Sequence, residues 1–342
     1  MIDRSLIERH AAQAWPAAEA VEQDGWLLRR TPGVSRRRSN SAVPYGTAVA
    51  PRASLARVEE FYAARDLPAV VQVAPAEDHV ALDALLADRG YRRAAPTLVC
   101  TAVTDEVVIT SCPAGPLEVG LAEHPARAWL DAFVDLDGHD GSRSVADRVL
   151  VHVPGPAAYL SATHEGRVVG IGLFVAAPGC AGVFCMATHP DHRRRGVATA
   201  LLHVGARWAA ARGAGTLYLQ VEEDNGPARR LYEGLGFRVS HSYHYRIRSC
   251  LGCGCESPSI CRLLSHSRLL VAVRGGGSLD SPRVAEPRGE HTDDRPKPRP
   301  GSRRRRRDRP APGAGLRRSA HQGAPGRRGQ GRRRDRLHPA PR

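Results

Sequence analysis

An alternation of strand-like and helix-like segments between residues 167 and 247 is the feature that most constrains the fold. Arg167–Ala177 is predicted to form a largely apolar strand and residues 181–188 the next, with Pro178 and Pro190 near their ends. The segments that follow are a helix at 196–211, a strand at 216–221, a helix at 227–235 and closing strands at 237–239 and 242–247. Strands mixed with helices in this order predict an α+β (α/β) domain whose sheet is covered by helices.

A similar order of segments occurs twice, at residues 63–91 and 210–237. In each copy an Ala-Ala-Arg helix end leads into a strand ending in Gln-Val, at Gln72 in the first copy and Gln220 in the second, and a helix follows. A repeat of this kind indicates two related domains. We expect these domains at residues 1–112 and 116–249, joined at the Pro- and Gly-containing segment 111–116.

The composition changes abruptly near residue 250. Residues 250–342 hold 23 of the 50 Lys and Arg residues and 8 of the 35 Asp and Glu residues, so they carry the whole net charge of +15. This Arg-, Pro- and Gly-rich segment is predicted to be a disordered tail, because it cannot bury enough apolar surface to offset the entropy of ordering. It could be an inert or frame-shifted extension, or an arm that binds a polyanion. The lack of aromatic residues for base stacking argues against nucleic acid.

Several classes of protein are excluded by what the sequence lacks. The sequence contains no run of 18 apolar residues that would predict a membrane span, and its first 15 residues contain no apolar core of a secretory signal. The eight cysteines follow no disulfide framework, so we expect reduced thiols and a cytoplasmic location. The cluster Cys250, Cys253, Cys255 and Cys261 lacks the spacing of a zinc ribbon, and we predict no metal site.

The most informative motif is the basic turn at residues 189–198, with the sequence HPDHRRRGVA. A strand leads into Pro190, and Gly196 begins a helix, so the unpaired N–H groups of the first helical turn would face an anion. Gly196 and Ala198 are small enough to let phosphates approach the backbone. A solvated basic turn before a surface helix is the simpler interpretation of this motif taken alone.

A second motif begins 27 residues after Ala198, at Asn225, and continues through Ala228, Leu231, Tyr232, Gly236 and Phe237. The two motifs in this order resemble the GCN5-related N-acetyltransferase (GNAT) superfamily. The first matches its pyrophosphate loop, Q/R-x-x-G-x-G/A, and the second its N-x-x-A-x-x-L-Y-x-x-x-G-F signature. The resemblance implies a central mixed, mostly antiparallel twisted sheet flanked by helices. The first hundred residues, with residues 25–29 and 38–41, resemble the leading half of tandem members, so two tandem copies are expected.

The resemblance also implies roles for individual residues. Main-chain groups at Met186, Ala187 and Thr188 would bind the pantetheine arm of acetyl-CoA, and the splayed strand end would polarise the thioester carbonyl. Tyr232 would protonate the departing thiolate, and Asn225 would contact the cosubstrate near its arm. The residues of the pyrophosphate loop would be Arg193, Arg194, Arg195, Gly196, Val197, Ala198 and Thr199.

The general base is not evident from the sequence. The strand before the loop has no carboxylate, and Gln220 stands where some members of the superfamily carry Glu. The candidates that remain are Glu222, Glu223, His189 and His192. In the first copy Leu86 falls where Tyr232 lies in the second, and residues 46–54 contain no loop motif. We therefore expect the first copy to be a degenerate repeat that shapes the acceptor pocket or the interface.

The resulting prediction is an enzyme that transfers the acetyl group of acetyl-CoA directly to a primary amine of a small molecule or protein. Two alternatives stay open. The missing strand carboxylate would suit a non-catalytic acyl-CoA-binding regulator, and the basic tail would suit a nucleic-acid-binding protein. The sequence identifies no acceptor amine, and it leaves a homodimer open.

Overall fold

The computed structural model describes residues 2–45, 51–113 and 117–248, and for residues 51–53 the backbone alone. The predicted disordered tail at 250–342 and its cysteine cluster lie outside the described residues. None of the described helices is both long enough and apolar enough to cross a lipid bilayer.

One continuous sheet runs through the described part of the chain and contains eleven strands. In chain order they are β1 (Glu19–Gln23), β2 (Trp26–Arg30), β3 (Ala42–Pro44), β4 (Val70–Val73), β5 (Tyr91–Val103), β6 (Glu118–Ala122), β7 (Ala157–His164), β8 (Arg167–Ala177), β9 (Cys180–Thr188), β10 (Thr216–Glu222) and β11 (Arg238–Arg248). Their spatial order is β1-β2-β3-β4-β11-β5-β10-β9-β8-β7-β6. Among the described strands, only β3 with β4 and β9 with β10 pair in parallel. The expected mixed, mostly antiparallel sheet is confirmed.

Helices cover both faces of this sheet, as predicted. They are α1 (Arg4–Gln13), α2 (Pro51–Ala63), α3 (Val80–Asp88), α4 (Thr104–Thr110), α5 (Arg127–Asp137), α6 (Ser142–Arg148), α7 (Val197–Ala210) and α8 (Gly226–Gly234). Helices α1, α5 and α6 share one apolar core on the first face. On the second face, α2 and α3 pack over one half of the sheet, and α4, α7 and α8 over the other. Because both faces of β9 are covered, eight of its nine residues are buried and it forms a nearly continuous apolar run.

Helix α7 lies unusually close to the sheet because of a glycine. A Cβ atom at Gly205 would come within 2.2 Å of the ring of Phe174 on β8, so only glycine fits this contact. The contact, together with buried Val197 and Leu201 on the same helix, fixes α7 against the second face. The amino end of α7 is thereby held just beyond the carboxyl end of β9, where the predicted pyrophosphate loop lies.

The two halves of the chain exchange their last strands. Strand β5, from the first half, pairs with β10, and β11, from the second half, pairs with β4. The two exchanged strands then pair with each other along nine residues at the centre of the sheet. The strands of the predicted repeat therefore occupy equivalent positions on either side of the β5–β11 pair, which is consistent with a duplicated unit. The boundary at 111–116 stays a prediction.

Most of the segments predicted between residues 167 and 247 agree with the structure to within one residue. The closing strands differ. Residues 237–239 and 242–247 were expected to form two strands, whereas the structure has the single strand β11. Its pairing with β5 shifts register between Val239 and His241 and again between Tyr243 and Tyr245. These irregularities interrupt the alternation of buried and exposed residues, which explains why the pattern resembled two strands.

Candidate functional site

A gap opens between β9 and β10 on the carboxyl side of their parallel pairing. The two strands pair from Cys180 opposite Thr216 as far as Val183 opposite Leu219. Beyond that point β9 stays paired with β8, and β10 stays paired with β5 as far as Glu222. The described ends of β9 and β10 therefore diverge, as expected for a splayed strand end.

A β-bulge in β9 accompanies this divergence. Phe184 and Ala187 lie three residues apart on β9, but their partners on β8, Leu173 and Ile171, lie two apart. The extra residue is accommodated near Cys185, whose φ of 51° is in the left-handed region. Bulges bend a strand and redirect side chains, so this one turns the end of β9 away from β10.

The basic turn after β9 leads into the amino end of α7. Arg194 and Gly196 both have positive φ, 61° and 80°, and a Cβ atom at Gly196 would meet no other atom within 4 Å. No side chain caps α7, and its first helical hydrogen bond is donated by the N–H of Ala200 to the carbonyl of Gly196. The N–H groups of Val197, Ala198 and Thr199 lie before this first helical hydrogen bond. Arg194, Arg195 and Gly196 are exposed. This turn has the geometry of an anion-binding site.

Helix α8 presents Tyr232 from the second face. Asn225 begins the helix as its N-cap, where its Oδ1 accepts a hydrogen bond from the N–H of Ala228 at 3.2 Å. The Tyr232 side chain is 2% exposed and packs edge-on against Phe237, with ring centroids 5.7 Å apart. Its hydroxyl has no hydrogen bond to any other described residue. Burial raises the pKa of Tyr232 well above its ordinary value, so the phenol stays protonated.

A pocket crosses the sheet at the gap. It holds about 530 Å³ of empty space, part of it open to solvent. Met186, Leu219 and Tyr232 line it from the core of the second face, whereas Phe133 and Phe184 line it from the core of the first face. The remaining lining residues are Trp15, Arg36, Arg38, Val183, Cys185 and Gln220. The pocket therefore connects Tyr232 with side chains of the first half of the chain.

The structure brings the predicted site residues to one end of β9. Met186 and Tyr232 share the pocket, and Ala187 and Thr188 continue β9 beyond it towards the turn. Arg193 donates to the carbonyl of Thr188 at 3.4 Å, which ties the turn to the strand end. Asn225 lies at the start of α8, with its side chain engaged in capping.

The four candidate bases lie outside the pocket lining, which includes Gln220 instead. Glu222 lies two residues beyond Gln220 on β10, so its side chain is on the same face, and it is 8% exposed. Glu223 is exposed. His189 accepts from the N–H of Asp191, and its ring contacts that of His192, in the turn rather than in the pocket. Of the four candidates, Glu222 is thus the one on the same sheet face as the pocket residue Gln220.

The sequence analysis expected the first half to shape the acceptor pocket or the interface, but it did not identify the residues that line the pocket. Trp15 follows α1, and Arg36 and Arg38 belong to the segment between β2 and β3, yet all three line the pocket. Arg36 forms a buried ion pair with Asp137 at the end of α5. No local motif marks these residues, although residues 38–41 were noted for their resemblance to tandem members. Among the described residues, no three His, Cys, Asp or Glu side chains are arranged to hold a metal ion.

A family model described as the C-terminal part of the probable histone acetyltransferase Rv0428c matches residues 4–246. The chain belongs to this family. It is therefore a member of the GNAT superfamily and an acyltransferase, and the predicted superfamily and enzyme class are confirmed. The match spans both halves, in agreement with a sheet that both halves build together.

Individual relatives agree with this assignment. An uncharacterized N-acetyltransferase, YobR, from Bacillus subtilis is 28% identical over 72% of this chain and its own full length. The probable histone acetyltransferase Rv0428c from Mycobacterium tuberculosis is 30% identical over 70% of this chain and 72% of its own. A solved GCN5-related N-acetyltransferase from Kribbella flavida superposes with a TM-score of 0.54 at 19% identity, covering 74% of this chain and 97% of its own. That last similarity is one of fold.

Proposed function

We propose that this acetyltransferase transfers the acetyl group of acetyl-CoA directly to a primary amine of a small molecule or a protein. The observation that carries the proposal is the pocket through the β9–β10 gap, which has Tyr232 on one face and an anion-binding turn at the same strand end. Acetyl-CoA has a thioester at the tip of a long arm and a pyrophosphate at the other end of that arm. A site for it therefore needs both features along one strand.

The pyrophosphate would bind at the start of α7. The N–H groups of Val197, Ala198 and Thr199 precede the helical hydrogen-bond ladder, and the helix dipole favours negative charge there. Arg193, Arg194 and Arg195 add positive charge beside these groups. The exposed, side-chain-free Gly196 lets a phosphate reach the backbone without a steric barrier.

The arm would extend along the end of β9. On the side away from β8, the segment from Phe184 to Thr188 has no strand partner in the described chain, so its main chain can pair with the amides of the pantetheine. Met186, Ala187 and Thr188 are the residues proposed for this role, and Asn225 is proposed to lie near the arm. Acetyl-CoA would supply the acetyl group as an activated thioester, and donors at the splayed end would stabilise charge developing on its carbonyl oxygen.

Tyr232 would assist the departure of the thiolate. A coenzyme A thiol resembles a cysteine thiol, whose pKa is about 8.5, whereas an ordinary phenol has a pKa of about 10. Because burial raises the pKa of Tyr232 further, complete proton transfer to the sulfur is opposed. We therefore assign Tyr232 the role of a hydrogen-bond donor that stabilises the thiolate as it forms.

Removal of the amine proton is assigned to Glu222, which acts through water. Its side chain lies on the same sheet face as Gln220, one step beyond the pocket. A carboxylate in this position can accept the proton without contacting the amine directly. The alternatives are His189 and His192 in the turn after β9, and the exposed Glu223.

The first test of this function is calorimetric titration of acetyl-CoA into the full chain, with Gly196→Asp and Gly196→Asn as a matched pair. Both variants place a side chain of the same shape at a positive φ, but only Asp adds a negative charge at the amino end of α7. We expect G196D to weaken binding about tenfold or more relative to G196N.

Turnover then separates an enzyme from a binding protein. Acetylation is measured with a panel of primary amines by release of free coenzyme A thiol. Binding without turnover of any amine would favour the non-catalytic regulator, and equal binding by G196D and G196N would remove the assigned pyrophosphate site. The cytoplasmic location stays a prediction, which cell fractionation would check.

A further inference from the structure

Arg38 is a buried arginine that has no hydrogen-bonding partner among the described residues. Its side chain is 3% exposed and lines the pocket, and its guanidinium lies over the rings of Phe184 and Trp15, 5.3 and 5.7 Å from their centroids. Its Nη2 atom is completely buried and has no hydrogen-bond acceptor in the described chain. Trp15 itself is held in place by a hydrogen bond from its Nε1 to Ser39 at 2.9 Å.

Two other buried arginines of the same region, Arg29 and Arg36, have hydrogen-bonding or ion-pair partners. Arg29 donates from Nη2 to the hydroxyl of Ser41 and to the side-chain oxygen of Gln72, each at 2.8 Å. Arg36 forms its ion pair with Asp137. An unpaired guanidinium among aromatic rings is costly to bury, and stacking on the rings offsets only part of that cost. A polar group left unpaired in a pocket points to a ligand that completes it.

Among the described residues, buried arginines outnumber buried carboxylates. Four arginines are buried, Arg29, Arg36, Arg37 and Arg38, against three carboxylates, Glu8, Asp137 and Glu222. Glu8 is engaged by His241 at 2.8 Å and by Gln72 at 3.4 Å. Of the two arginines that line the pocket, Arg36 is paired with Asp137, so Arg38 is the positive charge available to a ligand there. One such charge matches a monoanion better than a phosphate, which carries nearly two charges at neutral pH.

We propose that Arg38 binds a carboxylate of the acceptor, so that the acceptor is an amine of the amino acid class rather than a simple amine. This inference rests on the proposed function. Tyr232 belongs to the core of the second face, where the leaving sulfur would lie, whereas Arg38 contacts Phe184 from the first face. An amine that approached the thioester from the first face would pass Arg38. The planar guanidinium suits a carboxylate, and the surrounding rings exclude water and strengthen the contact.

The decisive comparison uses paired acceptors with the wild-type full chain. Glycine, β-alanine, 4-aminobutyrate and L-phenylalanine are each assayed beside the corresponding carboxamide, and phosphoethanolamine is assayed as an amine with a different anion. We expect a kcat/KM about tenfold or more higher for at least one acid than for its amide. An α-carboxamide makes the amine less basic, with a pKa of about 8, so without Arg38 the amides would react faster.

The variant Arg38→Met assigns this preference to one side chain. It keeps the length and apolar contacts of the stem and removes the charge. The matched control is Arg57→Met, because the Arg57 side chain on α2 is exposed. We expect R38M to lose the acid-over-amide preference and to keep both its affinity for acetyl-CoA and its melting temperature, whereas R57M keeps the preference. Thermal shift gives a second readout, since the preferred acid should raise the melting temperature of the wild type and leave that of R38M unchanged.

The outcomes separate this inference from the function on which it rests. Acetylation of amines with no acid preference would overturn the carboxylate site and leave the acetyltransferase in place. Binding of acids that depends on Arg38, with no amine acetylated, would support the anion site and contradict the proposed function. A preference for phosphoethanolamine over every acid would overturn the assignment of a carboxylate. If R38M did not fold, the acid and amide pairs measured on the wild type would still decide whether the acceptor carries a carboxylate.

Discussion

Tyr232 combines near-complete burial with a hydroxyl that has no hydrogen-bond partner in the described chain. Its oxygen makes no hydrogen bond within the described chain that would add to stability, and the residue lines the pocket. A phenylalanine would fill the same space against Phe237. The hydroxyl is thus better explained by chemistry in the pocket than by folding.

We predict that Tyr232→Phe lowers kcat about 10²-fold with little change in the affinity for acetyl-CoA, because the hydroxyl acts on the leaving sulfur. The free energy of unfolding should change little, because the hydroxyl makes no hydrogen bond within the described chain. Single-turnover kinetics and urea denaturation measure the two effects. A loss of stability without a loss of kcat would assign the hydroxyl to folding instead.

The residues of the site differ in how far the sequence could predict them. The turn at Gly196 and the helix carrying Tyr232 are encoded in short local motifs, because backbone conformation and capping depend on neighbours in sequence. Arg38 and Trp15 reach the pocket only through packing between distant parts of the chain. Nothing in their immediate sequence distinguishes Arg38 from Arg37, so their role had to come from the three-dimensional arrangement.

At the scale of elements, an ion pair fastens β11 to the first half of the chain. Asp83 on α3 accepts two hydrogen bonds from Arg246 on β11, at 2.7 and 2.8 Å, and a third contact joins it to His244 at 2.6 Å. Arg246 is the main reason that the pKa of Asp83 falls to about 2 from its ordinary 3.8. This contact stabilises the exchanged position of β11 beside β4.

The lowered pKa of Asp83 predicts a pH dependence of stability. A carboxylate with a depressed pKa in the folded state stabilises the protein above pH 4, and this contribution is lost as the pH falls from about 4 towards 2. Asp83→Asn should therefore cost about 1–2 kcal/mol at pH 7, and its difference from the wild type should shrink below pH 4.

Urea denaturation at a series of pH values measures this, with Asp78→Asn as the matched control. Asp78 contacts Arg4 at 3.9 Å with both side chains more than 40% exposed, so its loss should have little effect. Equal losses in the two variants, or a D83N deficit that does not change with pH, would contradict the role of the Asp83–Arg246 pair.

The positions of helices and strands along the chain were predicted better than the order of the strands in the sheet. Hydrophobic periodicity located β8, β9, α7 and β10 because burial on one or both faces leaves a pattern in the local sequence. The same pattern cannot say which strand lies beside which. The pattern of β11 predicted two short strands and no particular neighbour, and its insertion between β4 and β5 depends on edges that the first half leaves open. The exchange was therefore invisible to sequence analysis.

At the scale of the whole molecule, the exchange makes the two halves dependent on each other. Without the second half, β4 and β5 would each lose β11 as a neighbour, and without the first half, β10 and β11 would lose β5. Unpaired strand edges expose backbone groups and favour aggregation. The pocket would also lose Trp15, Arg36 and Arg38. The repeat in the sequence thus corresponds to two interlocked halves of one sheet.

This dependence predicts the behaviour of the separated halves. Residues 1–113 and 117–248, produced alone, should each lack a cooperative thermal transition, whereas the two co-expressed fragments should purify together and unfold with one transition, as the intact 1–248 chain does. Acetyl-CoA should bind the reassembled pair, because the turn at Gly196 and the β9–β10 gap are then complete, and it should not bind residues 1–113 alone. Copurification through a tag on one fragment, followed by calorimetry, tests both points. A first half that folds cooperatively by itself would show that its edge strands need no partner, and the central β5–β11 pair would then join two independent domains rather than form their shared core.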